Sequence, residues 1–157
     1  MTPGREVQVR LFEGDREVLR PLFREADDSE QGIDAYLPLG DIFVAEESGE
    51  VVGQLQLVGE GEEVELKSMA VAEERRGGGV GRMLVAAALR SCRERGVRRI
   101  TVSTAAADTG NLRFYQRQGF RMLSIERDVF GPEAGYPDGI VIDGIPLRDR
   151  VWLDQEL

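Results

Sequence analysis

Histidine is absent from this chain, and the only cysteine is Cys92. Without histidine there is no Ser-His or Cys-His nucleophilic pair, and the commonest transition-metal ligand is missing. A single cysteine excludes an intrachain disulfide and a cysteine-cluster metal site, so no metal is expected. Cys92 falls one turn after Ala88 and two turns after Leu84 in a helical pattern, which reads as a small buried hydrophobe and not as a reactive thiol. Long apolar runs are also missing. None approaches the length of a membrane span, and Met1-Thr2-Pro3-Gly4-Arg5-Glu6 lacks the apolar core of a signal peptide. A cytoplasmic protein without membrane association is expected. Positive charge is scarce: 20 Lys and Arg against 29 Asp and Glu give −9, which argues against a nucleic-acid partner.

What is present suits one globular domain over residues 1–157, with 41% apolar and 31% charged residues and no repeat, heptad or low-complexity linker. The charge is unevenly placed. Residues 75–99 hold eight arginines against one acid, Glu94, so that segment is +7 and the remainder is −16. Arg90, Arg93 and Arg95 fit a solvated helix face. Arg75, Arg76 and Arg82 bracket a glycine-rich loop, where an anionic ligand accounts for them better.

The apolar spacing predicts strands at residues 6–12, 41–47, 50–58, 63–71, 98–104, 120–130, 140–142 and 149–153. Helices are expected from Asp15 to Ala26, near residues 32–37, from the glycine loop to Arg95 with Gly96 as its stop, and over residues 111–118. Within 63–71, strict alternation puts Glu63, Glu65, Lys67, Met69 and Val71 on one face and Val64, Leu66, Ser68 and Ala70 on the other. Only one β-α-β crossover is present, at 63–104. The expected class is therefore α+β, with a mixed, mainly antiparallel sheet.

The stretch Met69-Ala70-Val71-Ala72-Glu73-Glu74-Arg75-Arg76-Gly77-Gly78-Gly79-Val80-Gly81-Arg82 runs from a strand through glycines into a helix. Glycines let the main chain approach a ligand, and the helix start offers unpaired N–H groups and a positive dipole end, the chemistry of a phosphate cradle. Three motif families compete for it. A P-loop requires Gly-Lys-Ser/Thr, but Gly81 is followed by Arg82-Met83. A dinucleotide fingerprint requires a third glycine or alanine where Leu84 stands, and an acid after the next strand, which ends in Thr104-Ala105-Ala106.

The third pattern, Arg/Gln-x-x-Gly-x-Gly/Ala, stands here as Arg76-Gly77-Gly78-Gly79-Val80-Gly81, and a later helix holds Phe114-Tyr115-Gln116-Arg117-Gln118-Gly119-Phe120. On these motifs, which reach from Leu66 to Phe120, the chain resembles the GCN5-related N-acetyltransferases (GNAT). The resemblance implies a mixed sheet of about seven strands, splayed between strands 4 and 5 and flanked by about four helices. Acetyl-CoA would lie in the gap. Met69, Ala70 and Val71 would meet the pantetheine, while Arg76, Gly77, Gly78, Gly79, Val80, Gly81 and Arg82 would hold the pyrophosphate. The sequence departs from the family's pattern at Asp108, where many members carry asparagine. The amide here is Asn111, one turn before Tyr115, and its contact with the pantetheine is left open.

The implied reaction is attack of a neutral amine on a thioester carbonyl. It needs a base for the amine proton, a donor for the oxyanion and help for the departing thiolate. The N–H of Met69 or Ala70 is the expected oxyanion donor, and Tyr115 is the family's leaving-group acid. A phenol has a pKa of about 10 and an alkyl thiol about 8.5, so full proton transfer from Tyr115 is slightly uphill, and a hydrogen bond to the thiolate is the larger contribution. Glu65, Glu63 or an ordered water is the candidate base, with Glu65 nearer the splay. Residues 26–40 and 131–148 are the expected acceptor elements. Their acids (Asp27, Asp28, Glu30 and Asp34; Glu133, Asp138 and Asp143) suit a cationic amine such as a polyamine, aminoglycoside or peptide N-terminus, with Tyr136 as one wall. A non-catalytic acyl-CoA sensor is the alternative function. A homodimer is an open possibility.

Overall fold

The alternating residues near the start of the chain form β1 (Val7–Leu11), which pairs antiparallel with β2 (Asp41–Glu47). The structure, a computed structural model, describes residues 6–157, so the reading of residues 1–5 lies outside the described residues. β2 turns at Ser48-Gly49 into β3 (Glu50–Val58), and β3 leads to β4 (Glu63–Val71). From there α3 (Val80–Glu94) crosses over the sheet to β5 (Arg99–Ala105), the connection a parallel neighbour requires. The chain continues through α4 (Thr109–Arg117) to β6 (Arg121–Glu126) and ends in β9 (Arg150–Glu156). The central sheet has the order β1-β2-β3-β4-β5-β9-β6, and β4–β5 is its one parallel pair. Two short strands, β7 (Val141–Ile142) and β8 (Ile145–Pro146), form a separate ribbon.

Each face of the sheet has its own core. Leu84, Val85 and Ala88 of α3 pack on Leu55, Leu66 and Ile100, and Cys92 is buried among them, its thiol pushed up by that burial. On the opposite face α1 (Arg20–Ala26) and α2 (Glu30–Tyr36) place Phe23, Ile33 and Tyr36 against Ile42 and Val44.

The first helix is shorter than its apolar pattern predicts. Residues 16–19 form a 3-10 turn capped by Asp15, whose carboxylate accepts the Glu17 N–H at 3.0 Å, and α1 starts only at Arg20. Pro21 stands in the first turn of α1, where its missing N–H leaves no helical bond unmade. The strand expected at 120–130 ends at Glu126, because Asp128 turns the chain at φ +59°. Beyond it the N–H groups of Val129 and Phe130 donate to the Arg148 carbonyl.

Candidate active site

β4 and β5 are paired only from Glu63↔Arg99 to Leu66↔Val102. Beyond that point β5 stays with β9, from Ser103↔Trp152 to Ala105↔Arg150, while β4 stays with β3 as far as Gly53↔Val71. The two strands therefore part. One edge of residues 67–71 is left without a strand neighbour among the described residues, and its backbone polar groups need another partner.

The strict alternation expected along β4 fails at Lys67. Leu57 pairs with Leu66 and Gln56 with Ser68, so Lys67 has no counterpart on β3 and forms a bulge. Before the bulge Val64 and Leu66 face α3; after it Met69 and Val71 take that face. Ser68 now points the other way, where its hydroxyl accepts the Gln54 Nε2–H at 2.8 Å. Glu65 and Met69, expected on one face, therefore lie on opposite faces. Glu65 sits beside Thr101 on the α1/α2 side, and a recess of about 450 Å³ adjoins it, lined among others by Glu63, Glu65, Thr101, Leu123 and Trp152.

On the α3 side, the glycine loop ends in a helix start with no side-chain cap. The amides of Val80, Gly81 and Arg82 precede the first helical bond, from Met83 N–H to the Gly79 carbonyl, and are free for an anion. Gly77 and Gly79 have φ of +81° and +89°, and a Cβ on Gly77 would meet nothing within 4 Å. Gly78 lies between them, near the Arg75 carbonyl. A Cβ on Gly81 would stand 3.2 Å from the Phe114 ring and 3.8 Å from Val71 Cγ2, so the loop, the end of β4 and α4 converge there. Of the three bracketing arginines, two are engaged by protein carboxylates. Arg75 reaches Glu47 at 2.8 Å, and Arg76 bonds Glu25 at 3.0 Å and the Val71 carbonyl at 3.1 Å. The Arg82 guanidinium lies beside Gly79.

The far wall of the gap is α4. Asp108 is its N-cap, accepting the Asn111 N–H at 3.0 Å, which gives a local physical reason for an acid at this position. The Asn111 amide donates to Thr104 Oγ1 at 3.4 Å, on the splayed half of β5. Tyr115 is 4% exposed, edge-on to Phe114 at 5.3 Å and Phe120 at 5.6 Å. Burial raises its phenol above the ordinary value, and the Asp108 charge adds to the rise, so Tyr115 is held neutral.

A parted parallel pair thus has an uncapped glycine helix start on one side and a tyrosine on the other. The profile of the Acetyltransferase (GNAT) family matches residues 10–120. This chain belongs to the GNAT family. It is 30% identical over 152 residues to the uncharacterized N-acetyltransferase YvbK of Bacillus subtilis, covering 95% of this chain and 97% of that one. Among solved structures, a GNAT family acetyltransferase from Elizabethkingia anophelis with acetyl-CoA bound superposes with a TM-score of 0.88 at 28% identity, covering 96% and 98% of the two chains. A Bacillus subtilis acetyltransferase in complex with CoA gives 0.87 at 30%, covering 97% and 99%.

The α1/α2 face of this GNAT domain carries features that no local pattern announced. Asp27 accepts hydrogen bonds from the hydroxyls of Tyr36 and Tyr136, both at 2.8 Å, and from the Ser29 N–H at 3.0 Å. It thereby ties the 131–148 segment to the α1–α2 link. Tyr136 stacks edge-on against Phe130 at 5.1 Å, and the Arg150 guanidinium lies over both Phe130 and Trp152. Lys67 Nζ sits 5.2 Å above the Tyr36 ring and 3.8 Å from Glu65 Oε2. These residues come together across more than a hundred positions of sequence; Asp27, Glu65 and Tyr136 carried a signal in the sequence, whereas Tyr36, Phe130, Arg150 and Trp152 carried none. Several acids expected to attract a cation are engaged internally: Glu30 pairs with Arg20 and Arg24, and Asp34 with Arg20. Among the described residues no cluster of three or more acids, Cys or His could hold a metal, and no helix is long and apolar enough to cross a membrane.

Proposed function

We propose that this protein is an N-acetyltransferase that moves the acetyl group of acetyl-CoA to a primary amine by direct attack. The observation that carries this reading is the parting of β4 and β5 after Leu66↔Val102, between the glycine start of α3 and Tyr115 of α4. The free edge of residues 67–71 suits an extended amide chain, and the uncapped amides of Val80, Gly81 and Arg82 suit a pyrophosphate. Gly81 lets α3 approach the Phe114 ring of α4, since a Cβ there would stand 3.2 Å from it. Acetyl-CoA supplies an activated carbonyl with a thiolate leaving group.

The chain's own residues do the rest. Met69 or Ala70 contributes the backbone N–H for the carbonyl oxygen, and Asn111 offers an amide from the β5 side. Glu65, Glu63 or a chain of ordered water takes the amine proton. Tyr115, kept neutral by burial, donates a hydrogen bond to the departing sulfur; the same burial makes full proton transfer more uphill than for a solvated phenol.

Tyr115→Phe tests the reading. Turnover, followed by thiol release, should fall by about tenfold or more while CoA affinity is nearly kept. An unchanged rate removes Tyr115 from the mechanism. CoA binding without turnover on any amine would instead support an acyl-CoA sensor.

A further inference from the structure

Two groups of opposite charge flank the point where β4 and β5 part, on the α1/α2 face. Glu65 is the residue before the last paired position of β4, and Lys67 is the bulged residue after it. Their Oε2 and Nζ atoms stand 3.8 Å apart, beyond hydrogen-bond distance. Lys67 keeps the face of Glu65, while the bulge sends Met69 to the opposite one. Lys67 is held in place by the Tyr36 ring beneath it, and Tyr36 is fixed in turn by its 2.8 Å bond to Asp27.

An acceptor amine must come to this point, and its charges must suit both groups. A plain cationic amine drawn to Glu65 would meet the Lys67 ammonium, a repulsive element against polyamines and simple alkylamines. An amine with a carboxylate one carbon away satisfies both. In the recess beyond, the charges are already matched: Arg99 pairs with Glu63 at 3.2 Å and with Asp154 at 2.9 Å, beside Leu123 and Trp152. An uncharged side chain fits there better than a charged one.

From this we infer that the acceptor is a zwitterion, a free α-amino acid with an uncharged side chain, whose amine goes to Glu65 and whose carboxylate goes to Lys67. The inference rests on the acetyltransferase reading above and narrows its acceptor. The α-nitrogen forms a C–N bond to the acetyl carbonyl carbon as the C–S bond breaks. Of the two protons lost by the ammonium group, one ends on the CoA thiol and one passes through Glu65 or water to solvent. The products are an N-acetyl amino acid and CoA.

The test uses the full chain, acetyl-CoA and matched acceptor pairs, each an amino acid and its decarboxylated amine: leucine with isoamylamine, phenylalanine with phenethylamine, tryptophan with tryptamine. Spermine and a peptide N-terminus complete the panel. At least one amino acid should exceed its amine by about tenfold in kcat/KM. Lys67→Met should bring that ratio towards one, mainly through KM for the amino acid, and Lys67→Arg should restore it. Amines that match or surpass their amino acids, or a ratio untouched by Lys67→Met, overturn the inference. Turnover confined to spermine or the peptide also overturns it and leaves acetyl transfer standing. Acetyl-CoA binding with no turnover across the panel defeats the acetyltransferase reading, and this inference with it.

Discussion

Gly79 holds a φ of +89° immediately before the helix whose first amides are free. A side chain in that conformation costs about 1–2 kcal/mol, and its Cβ would stand beside the Arg82 guanidinium, at the proposed anion site. Gly79→Ala should therefore lower stability by about 1 kcal/mol in urea unfolding and weaken CoA binding measured by calorimetry. Loss of stability without loss of CoA affinity would detach Gly79 from the anion site. The glycines were legible in the sequence because their signal is local: the requirement and the residue coincide. Lys67 shows the opposite case. Its side chain reads as one more polar residue in an alternating strand, and only the pairing of β4 with β3 makes it the bulge that separates Glu65 from Met69.

At the level of elements, α4 shows how a cap positions a candidate catalytic group. Asp108 accepts the Asn111 N–H and fixes the first turn of the helix that carries Tyr115. Removing that acceptor in Asp108→Ala should cost about 1 kcal/mol in chemical denaturation. Asp108→Asn keeps a good capping oxygen and should stay within a few tenths of wild type. It also removes a charge that raises the Tyr115 phenol, so the phenol should shift down. Equal losses in the two variants would show that charge, not the cap, holds the element. Helix and strand existence was readable from periodicity, but ends were not. Residues 16–19 wind into a 3-10 turn before α1, and Asp128 stops a strand that hydrophobicity would have continued, by a left-handed turn.

At the level of the whole molecule, all three tyrosines are raised above their ordinary value, by burial first in each case. For Tyr36 and Tyr136 the second contributor is Asp27, because ionising either would set a phenolate against a carboxylate. Folding thus favours the protonated form. The stability this gives is complete below about pH 10, the ordinary phenol value, and is lost as pH rises towards the folded values. Absorbance of tyrosinate and far-UV circular dichroism, followed together upward from about pH 9, should change in one transition. A phenol that ionises near pH 10 in a protein still folded by dichroism would show that the Asp27 link is open in solution. Tyr136→Phe should then weaken the hold of the 131–148 segment on α1–α2, seen as faster proteolysis of that segment.

The sequence by itself determined the features whose physics is local. These are the α+β element order, the glycine start of α3, the β4-α3-β5 crossover and the positions of Tyr115 and Asn111, all carried by periodicity, backbone freedom or spacing along one helix. Tertiary structure decided what depends on pairing over distance. The register of β3 on β4 made Lys67 a bulge, the parting of β5 from β4 after Val102, while β9 holds β5 along its whole length, opened the gap, and Asp27 became the anchor of two tyrosines 100 positions apart. Acids that look available along the chain turned out to be committed to arginines that only folding brings near. Charge balance at the acceptor face is a property of which side chains meet, and no run of sequence contains that.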